Sequence, residues 1–362
     1  MTQPARTARP PECRSAGAAA RVLRGIAFTG GRNVPSARFR VRQNLPQLRE
    51  LGIEIVESYP AAGAYPPAVR VLRPFWAALS LAQRAAAIAS AQRHDFAIIH
   101  KSMLSGFVTL EPWVRGPRIF DVDDAIFEQR GGGYVERLAG MCELVVCGNA
   151  FLAEWISRHN PRTVVVPTAV DTERFHPLPR TSAGAETNPV VGWIGSGSNL
   201  PYLHAIEAPL RVVLQRFPDA VLRVVADQRP RFQRLPEHRV EFVPWSVESE
   251  VRAIQEMSVG LMPLDDTAWS RGKCSYKMLQ YMACAVPCVV SPVGMNAEVL
   301  ALGGGGIGAR STDEWVDGIA GWLASGTRRT QAGAEGRALV VDAFSIPVVA
   351  AKLAAAIRST CG

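Results

Sequence analysis

Twice along its length this chain makes the same opening. Val22 to Thr29 is a mostly apolar run, Gly30-Gly31 follows, and Ser36 is placed to cap a helix from about Ala37 to Leu51. Val190 to Ile194 is another such run, Gly195-Ser196-Gly197-Ser198-Asn199 a loop of small residues, and Tyr202 to Phe217 a helix. Strand, small-residue turn and helix is how one half of a doubly wound α/β fold begins. Short apolar runs at Ile53–Tyr59, Phe96–Ile99, Arg118–Phe120, Leu144–Val146 and Val164–Val166 supply further strands to the first half. Val221–Val225, Val240–Val243, Val259–Leu264 and Pro287–Val290 supply the second. Alternation with helical stretches predicts two parallel sheets, each with its ligands at the carboxyl edge of the strands.

A length of 362 residues suits two such units. The expected division is a disordered basic leader over 1–21, an N-terminal unit over 22–170 and a Pro-, Thr- and Ser-rich linker over 171–188. A C-terminal unit over 189–342 follows, and a last helix over 343–362 packs back on the first unit. Val71–Gln92 predicts a long Ala-rich helix with Phe75, Trp76, Leu79 and Leu81, a pattern that suits a membrane surface but more commonly a core-facing helix. Gly303–Gly306 reads as a loop, and Thr312–Ala324, Thr330–Phe344 and Val348–Ser359 as terminal helices.

The formal charge of +8 lies in one place. Residues 1–42 hold nine arginines and one acid, which is the whole excess. The body is therefore near neutral, which argues against a nucleic-acid-binding surface. The basic arm suits either a solvated tail or peripheral contact with an anionic membrane. No apolar run reaches membrane-spanning length and the N-terminus has no secretory signal pattern, so the expected location is cytoplasmic, at most on the inner face of the plasma membrane. Seven cysteines without a C-x-x-C pair predict reduced, buried thiols and no zinc site.

Lysine is rare. Lys101, Lys273, Lys277 and Lys352 are the only four in the chain. Two of them lie one turn apart where a helix over Lys273–Ala283 follows the strand Val259–Leu264. Free N–H groups and the positive end of the helix dipole belong at the same place. Read locally, the pattern suits a solvated first turn as well as a phosphate site.

Three further groups stand at strand ends. Asp121, Asp123 and Asp124 crowd three carboxylates into four residues, which demands pairing or a cleft. Asp121-Val122-Asp123 has the form of a D-x-D metal motif, but the lysines already provide counter-charge, so no metal is expected. His100 ends a strand beside them, and Arg38, Arg40 and Arg42 sit on the first helix, where they suit a solvated face as well as an anionic ligand. Asp265 and Asp266 follow a strand and suit solvated loop acids as well as ligand contacts.

Pro167-Thr168-Ala169-Val170-Asp171 with Arg174-Phe175, then Val191-Gly192-Trp193-Ile194-Gly195, then the stretch from Val259 to Leu300, resemble the retaining GT-B glycosyltransferases of family 4. The resemblance covers roughly 22–360 and implies two Rossmann-like domains facing a cleft. It implies a nucleotide-diphosphate-sugar donor held by the C-terminal domain, a hydroxyl acceptor (a sugar, a lipid-linked or a small molecule) held by the N-terminal domain, and neither metal nor cofactor. Gly30 and Gly31 match the glycine loop beside the donor phosphates, and Gly195, Ser196, Ser198 and Asn199 the loop after the first strand of the second domain. Pro244 and Trp245 fall in the segment that reads the base. The leaving diphosphate then falls to Arg271, Lys273 and the helix start at Ser275, Tyr276 and Lys277, with Gln280 toward the ribose. Asp121 takes the place of the family's histidine near the reacting sugar, and His100, Arg38, Asp123 and Asp124 are left for the acceptor. The family's two glutamates fall on Gly272 and Gln280, neither acidic. A sugar-nucleotide epimerase of the same fold and a non-catalytic binding or scaffold protein are the alternatives.

Overall fold

The computed structural model describes residues 21–32, 34–61, 63, 65–104, 106–129, 132–178 and 188–361. The leader, apart from Arg21, and the centre of the expected linker lie outside them. Two six-stranded sheets, both parallel throughout, organise the rest. The first contains β1 (Leu23–Phe28), β2 (Ile53–Ser58), β3 (Phe96–His100), β4 (Arg118–Val122), β5 (Leu144–Cys147) and β6 (Thr163–Val165). The second contains β7 (Val190–Ile194), β8 (Val221–Ala226), β9 (Val240–Pro244), β10 (Val259–Met262), β11 (Cys288–Val290) and β12 (Gly306–Gly308).

The two sheets are not copies. The first runs β2-β1-β3-β4-β5-β6 and the second β12-β11-β10-β7-β8-β9. The order therefore reverses between β1 and β3 in one and between β7 and β10 in the other, and each reversal opens a crevice at the carboxyl ends of the strands. Alternating side chains fill the two faces of the first sheet. Phe28, Ile99 and Phe120 pack on one side, and Phe96, Ile98 and Ile119 on the other.

The helices are α1 (Leu45–Glu50), α2 (Arg73–Ala91), α3 (Gly133–Met141) and α4 (Ala150–Ser157) in the first half. The second half has α5 (Leu200–Ala205), α6 (Glu207–Arg216), α7 (Glu250–Gln255), α8 (Ala268–Arg271), α9 (Tyr276–Ala283), α10 (Met295–Ala301), α11 (Thr312–Leu323) and α12 (Gly326–Phe344). The last helix, α13 (Ile346–Cys361), crosses to the first sheet. There it buries Val349, Leu353 and Ile357 against Leu23 and Ile53, and Arg358 donates to the carbonyl of Leu51 at 2.6 Å.

Several expectations are corrected. The helix drawn from Ala37 to Leu51 is helical but uneven: a widened π turn over Ala37–Val41, a tight 3-10 turn over Arg42–Asn44, then α1. Ser36 does not cap it with its side chain. Residues 171–178 are not a free linker, because Phe175 is buried in the C-terminal core and Arg337 donates to the carbonyls of Thr172 and Phe175. Gly306 belongs to a strand instead of a loop. Most consequentially, Phe75 and Leu79 of α2 face outward, while the polar Ser80 and Arg84 are buried. Arg84 donates to the carbonyls of Thr29 at 2.5 Å, just past β1, and Ser58 at 2.9 Å, the last residue of β2. Those carbonyls need a donor, and satisfying them fixes which side of α2 faces in.

Candidate active site

The crevice of the second sheet holds the lysines. α9 begins at Tyr276, three residues later than its pattern suggests, because Ser275 takes a left-handed conformation (φ 51°) and breaks the turn. Non-glycine residues in that region are uncommon and cluster where a site requires them. The hydroxyl of Ser275 donates to Asn296 Oδ1 at 2.6 Å, so only its backbone remains available to a ligand. Lys273 lies over the rings of Trp269 (5.3 Å) and Tyr202 (5.8 Å), and Lys277 over Trp193 (6.0 Å). Gly195 leaves the room for this, since a Cβ there would fall within 3.0 Å of Trp193 and Lys277 atoms. Neither lysine makes an ion pair among the described residues. Burial lowers the pKa of both, and the neighbouring Lys273 helps push Lys277 down to about 8. Two neighbouring ammonium groups, partly desolvated and with no carboxylate in ion-pair contact among the described residues, suit a polyanion.

The other residues assigned to the donor are placed less simply. Arg271 is already committed to a carboxylate. It is exposed and its Nε donates to Asp266 at 2.6 Å. Ser196, Ser198 and Asn199 bond one another in a half-exposed loop. The N–H of Trp245 donates to the carbonyl of Ala226 at 2.9 Å and its indole N–H to Glu250 at 3.0 Å. Tyr276 packs against Phe39 of the first half, with ring centroids 3.9 Å apart and the planes tilted by 35°. Gln280 is buried on α9.

In the first sheet the register places His100 of β3 beside Asp121 of β4. Asp121 is not an open catalytic carboxylate. It is buried, accepts from Arg40 at 3.1 and 2.7 Å, and lies 2.9 Å from His100 Nδ1. Burial alone would raise its pKa, but Arg40 and His100 outweigh burial and hold it far below the carboxylate range. The other ring nitrogen of His100 reaches Ser36 Oγ at 3.1 Å. Asp123 and Asp124 close on Lys101 at 3.0 and 2.5 Å. Lys101 itself is left-handed (φ 66°), and despite burial the two acids hold its pKa above the usual value. The crowded carboxylates are thus balanced by Arg40 and Lys101. Gly30, Ser36, His100 and Lys101 line a pocket at the crevice of the first sheet, which Tyr65 and Trp76 wall.

The three helix arginines do not gather at an acceptor. Arg40 belongs to Asp121 and Arg42 to Glu57 at 2.8 Å. Arg38 crosses to the second half, 3.1 Å from Glu250, which also holds Arg174 at 2.7 Å. Sequence reasoning missed Glu250, whose partners come from three separate stretches of chain. It missed Asn149 as well, which caps α4 and donates to the carbonyls of Arg271 and Lys273 at 3.0 and 3.1 Å.

These bonds join the two crevices. Gly272 abuts the first half so closely that a Cβ there would lie 2.6 Å from the Ala125 nitrogen and Cβ. A larger side chain at 272 has no room, because the space is filled from across the interface. Gly272→Ala is expected to cost roughly 1–3 kcal/mol through overpacking. Thermal unfolding checks it, and an unchanged midpoint would mean that the contact yields freely.

Two Rossmann-like parallel sheets meeting at the carboxyl ends of their strands are the fold of the GT-B glycosyltransferases. Residues 188–325 match the family profile described as glycosyl transferases group 1. Solved structures repeat the whole architecture. The sucrose-phosphate synthase of Thermosynechococcus elongatus superposes with a TM-score of 0.68 at 16% identity, over 94% of this chain and 99% of that one. The Anabaena protein Alr3699/HepE, solved with UDP and glucose, gives 0.63 at 13% identity over 93% and 100%. A glycosyltransferase from Rickettsia africae ESF-5 gives 0.64 at 12% over 93% and 98%. Comparison with curated protein sequences gives no match. No described helix is long and apolar enough to cross a membrane.

Proposed function

We propose that this protein is a glycosyltransferase of the family 4 type. It moves a sugar, a hexose or a relative, from a nucleoside-diphosphate donor to a hydroxyl acceptor and retains the anomeric configuration. Synthesis of a polysaccharide, glycolipid or other glycoconjugate is the setting. The observation that carries this reading is the pair Lys273 and Lys277: unpaired cations at the start of α9, in the half whose sequence matches the glycosyl transferases profile. A diphosphate seated there meets two ammonium groups and the first N–H groups of the helix. The charge that develops as the sugar departs is stabilised by groups already in position. Counter-charge of this kind calls for no divalent cation.

The acceptor takes the pocket of the first half. His100, held by Asp121 and touching Ser36, orients a hydroxyl there, while Tyr65 and Trp76 offer ring faces to a sugar or an apolar tail. Attack from the leaving side of the donor retains configuration and needs no protein nucleophile. Contact between the halves keeps water from competing.

Titration calorimetry with UDP, GDP and their sugars tests the donor half. Binding of at least one nucleoside diphosphate in the micromolar range is expected, and no binding of any would end the proposal. An inverted product anomer would refute the stereochemistry alone.

A further inference from the structure

Helix α2 leaves an apolar outer side open to solvent. Its buried side holds Ser80, Arg84, Ile88 and Ala91. Its exposed positions from Pro74 to Ala89 are Phe75, Ala78, Leu79, Ala82, Ala85, Ala86 and the two ends, all apolar. The approach to the helix continues the face: Tyr65 is 68%, Val71 74% and Phe75 75% exposed, with Val69 and Leu72 beside them. Surface helices place charge on that side, and apolar surface of this extent marks an interaction site.

The charges around the face have one sign. Arg70 and Arg73 stand at its start and Arg93 past its end, all exposed, and no acid occurs from Ser58 to His94. Arg21, the first described residue, pairs with Asp95 just beyond α2, and the sequence before it holds three arginines and one acid. A second copy laid on this face would set arginine against arginine in either orientation. An anionic surface with an apolar interior meets both the charge and the rings.

We propose that the outer face of α2, with the segment from Tyr65 to Leu72 before it, docks on an anionic lipid bilayer. Phe75, Leu79, Val71 and Leu72 enter the boundary between headgroups and acyl chains, and Arg70, Arg73 and Arg93 pair with lipid phosphates. The membrane contact expected of the leader thus belongs first to a folded helix. The inference does not depend on the nucleotide reading, because none of these residues belongs to the lysine site.

Co-sedimentation of the full chain with vesicles tests it. The wild-type protein is expected to pellet with phosphatidylglycerol mixed into phosphatidylcholine, far less with phosphatidylcholine alone, and less at high salt. Phe75→Ser with Leu79→Ser should weaken vesicle binding about tenfold or more. Arg70→Gln with Arg73→Gln should remove much of the preference for anionic vesicles. All these positions are exposed, so circular dichroism and nucleotide titration should match the wild type. Equal pelleting by the Phe75/Leu79 variant would assign binding to the leader and overturn the proposal. So would failure of the wild type to pellet, or a dimer in sedimentation velocity that this variant dissolves. Loss of nucleotide binding with vesicle binding intact would count only against the glycosyl-transfer reading.

Discussion

Replacing Lys273 and Lys277 together by alanine is expected to weaken nucleoside-diphosphate binding by about a hundredfold to ten-thousandfold, at roughly 1.5–3 kcal/mol for each charge-assisted contact. The fold should survive, because neither ammonium group has an ion-pair partner among the described residues to leave stranded. Calorimetry of the wild type and the variant checks the affinity, and a variant that binds normally would remove these lysines from the site. The pH dependence follows from their burial. With its pKa near 8, Lys277 loses its proton as pH rises through that value, so diphosphate affinity should fall between pH 7 and pH 9. Stability of the ligand-free protein runs the other way. From about 8 up to the ordinary value of 10.5 the unfolded chain holds a proton that the folded chain has released, so stability rises with pH across that window. The double variant should lose that part of the rise.

Asp121→Asn is expected to destabilise the protein by about 3–5 kcal/mol, the cost of removing one partner from a buried ion pair. Arg40 would keep its charge in an interior position, facing an amide in place of a carboxylate. A carboxylate whose only role was to meet substrate would behave differently, losing turnover with an unchanged unfolding midpoint. Chemical denaturation separates the two outcomes, and a stability within experimental error of wild type would return Asp121 to the catalytic role that its position at a strand end suggests. Arg40→Leu combined with Asp121→Leu should cost less than Asp121→Asn alone, since no charge is then left unpaired. In the wild type the depressed pKa of Asp121 contributes stability that is complete above the ordinary carboxylate value, near 3.8, and is lost as pH falls below it. Asp121→Asn should flatten that acid limb.

Much of the fold was legible because buried parallel strands are short, continuous and apolar. Val190–Ile194 announces itself in this way and is found at those bounds. β12 did not, since Gly306–Gly308 has two glycines in three residues and pairs only because β11 offers it an edge. Nor did the different strand orders, which local pattern does not encode. The apolar stripe of α2 was visible but its direction was not, because that is decided by the carbonyls of Thr29 and Ser58, which Arg84 must satisfy. At the site, residue type pointed to the scarce lysines, and their aromatic surroundings came from Trp193, Tyr202 and Trp269, distant in sequence. The helix arginines misled for the same reason. Their partners Glu57, Asp121 and Glu250 lie in three separate elements, and nothing near residues 38–42 names them.

The segment from Arg271 to Tyr276 does two things at once. Its carbonyls and Cys274 are bonded to Asn149 and Asp123 of the other half, and its end sets the first turn of α9, where an anion would sit. If the proposed donor site holds, nucleotide binding and the joining of the halves are linked equilibria. Whatever free energy the nucleotide would gain from the joined arrangement, the joined arrangement would gain from the nucleotide, to the same amount. Donor affinity would in that sense be a property of the pair of domains, held by neither alone.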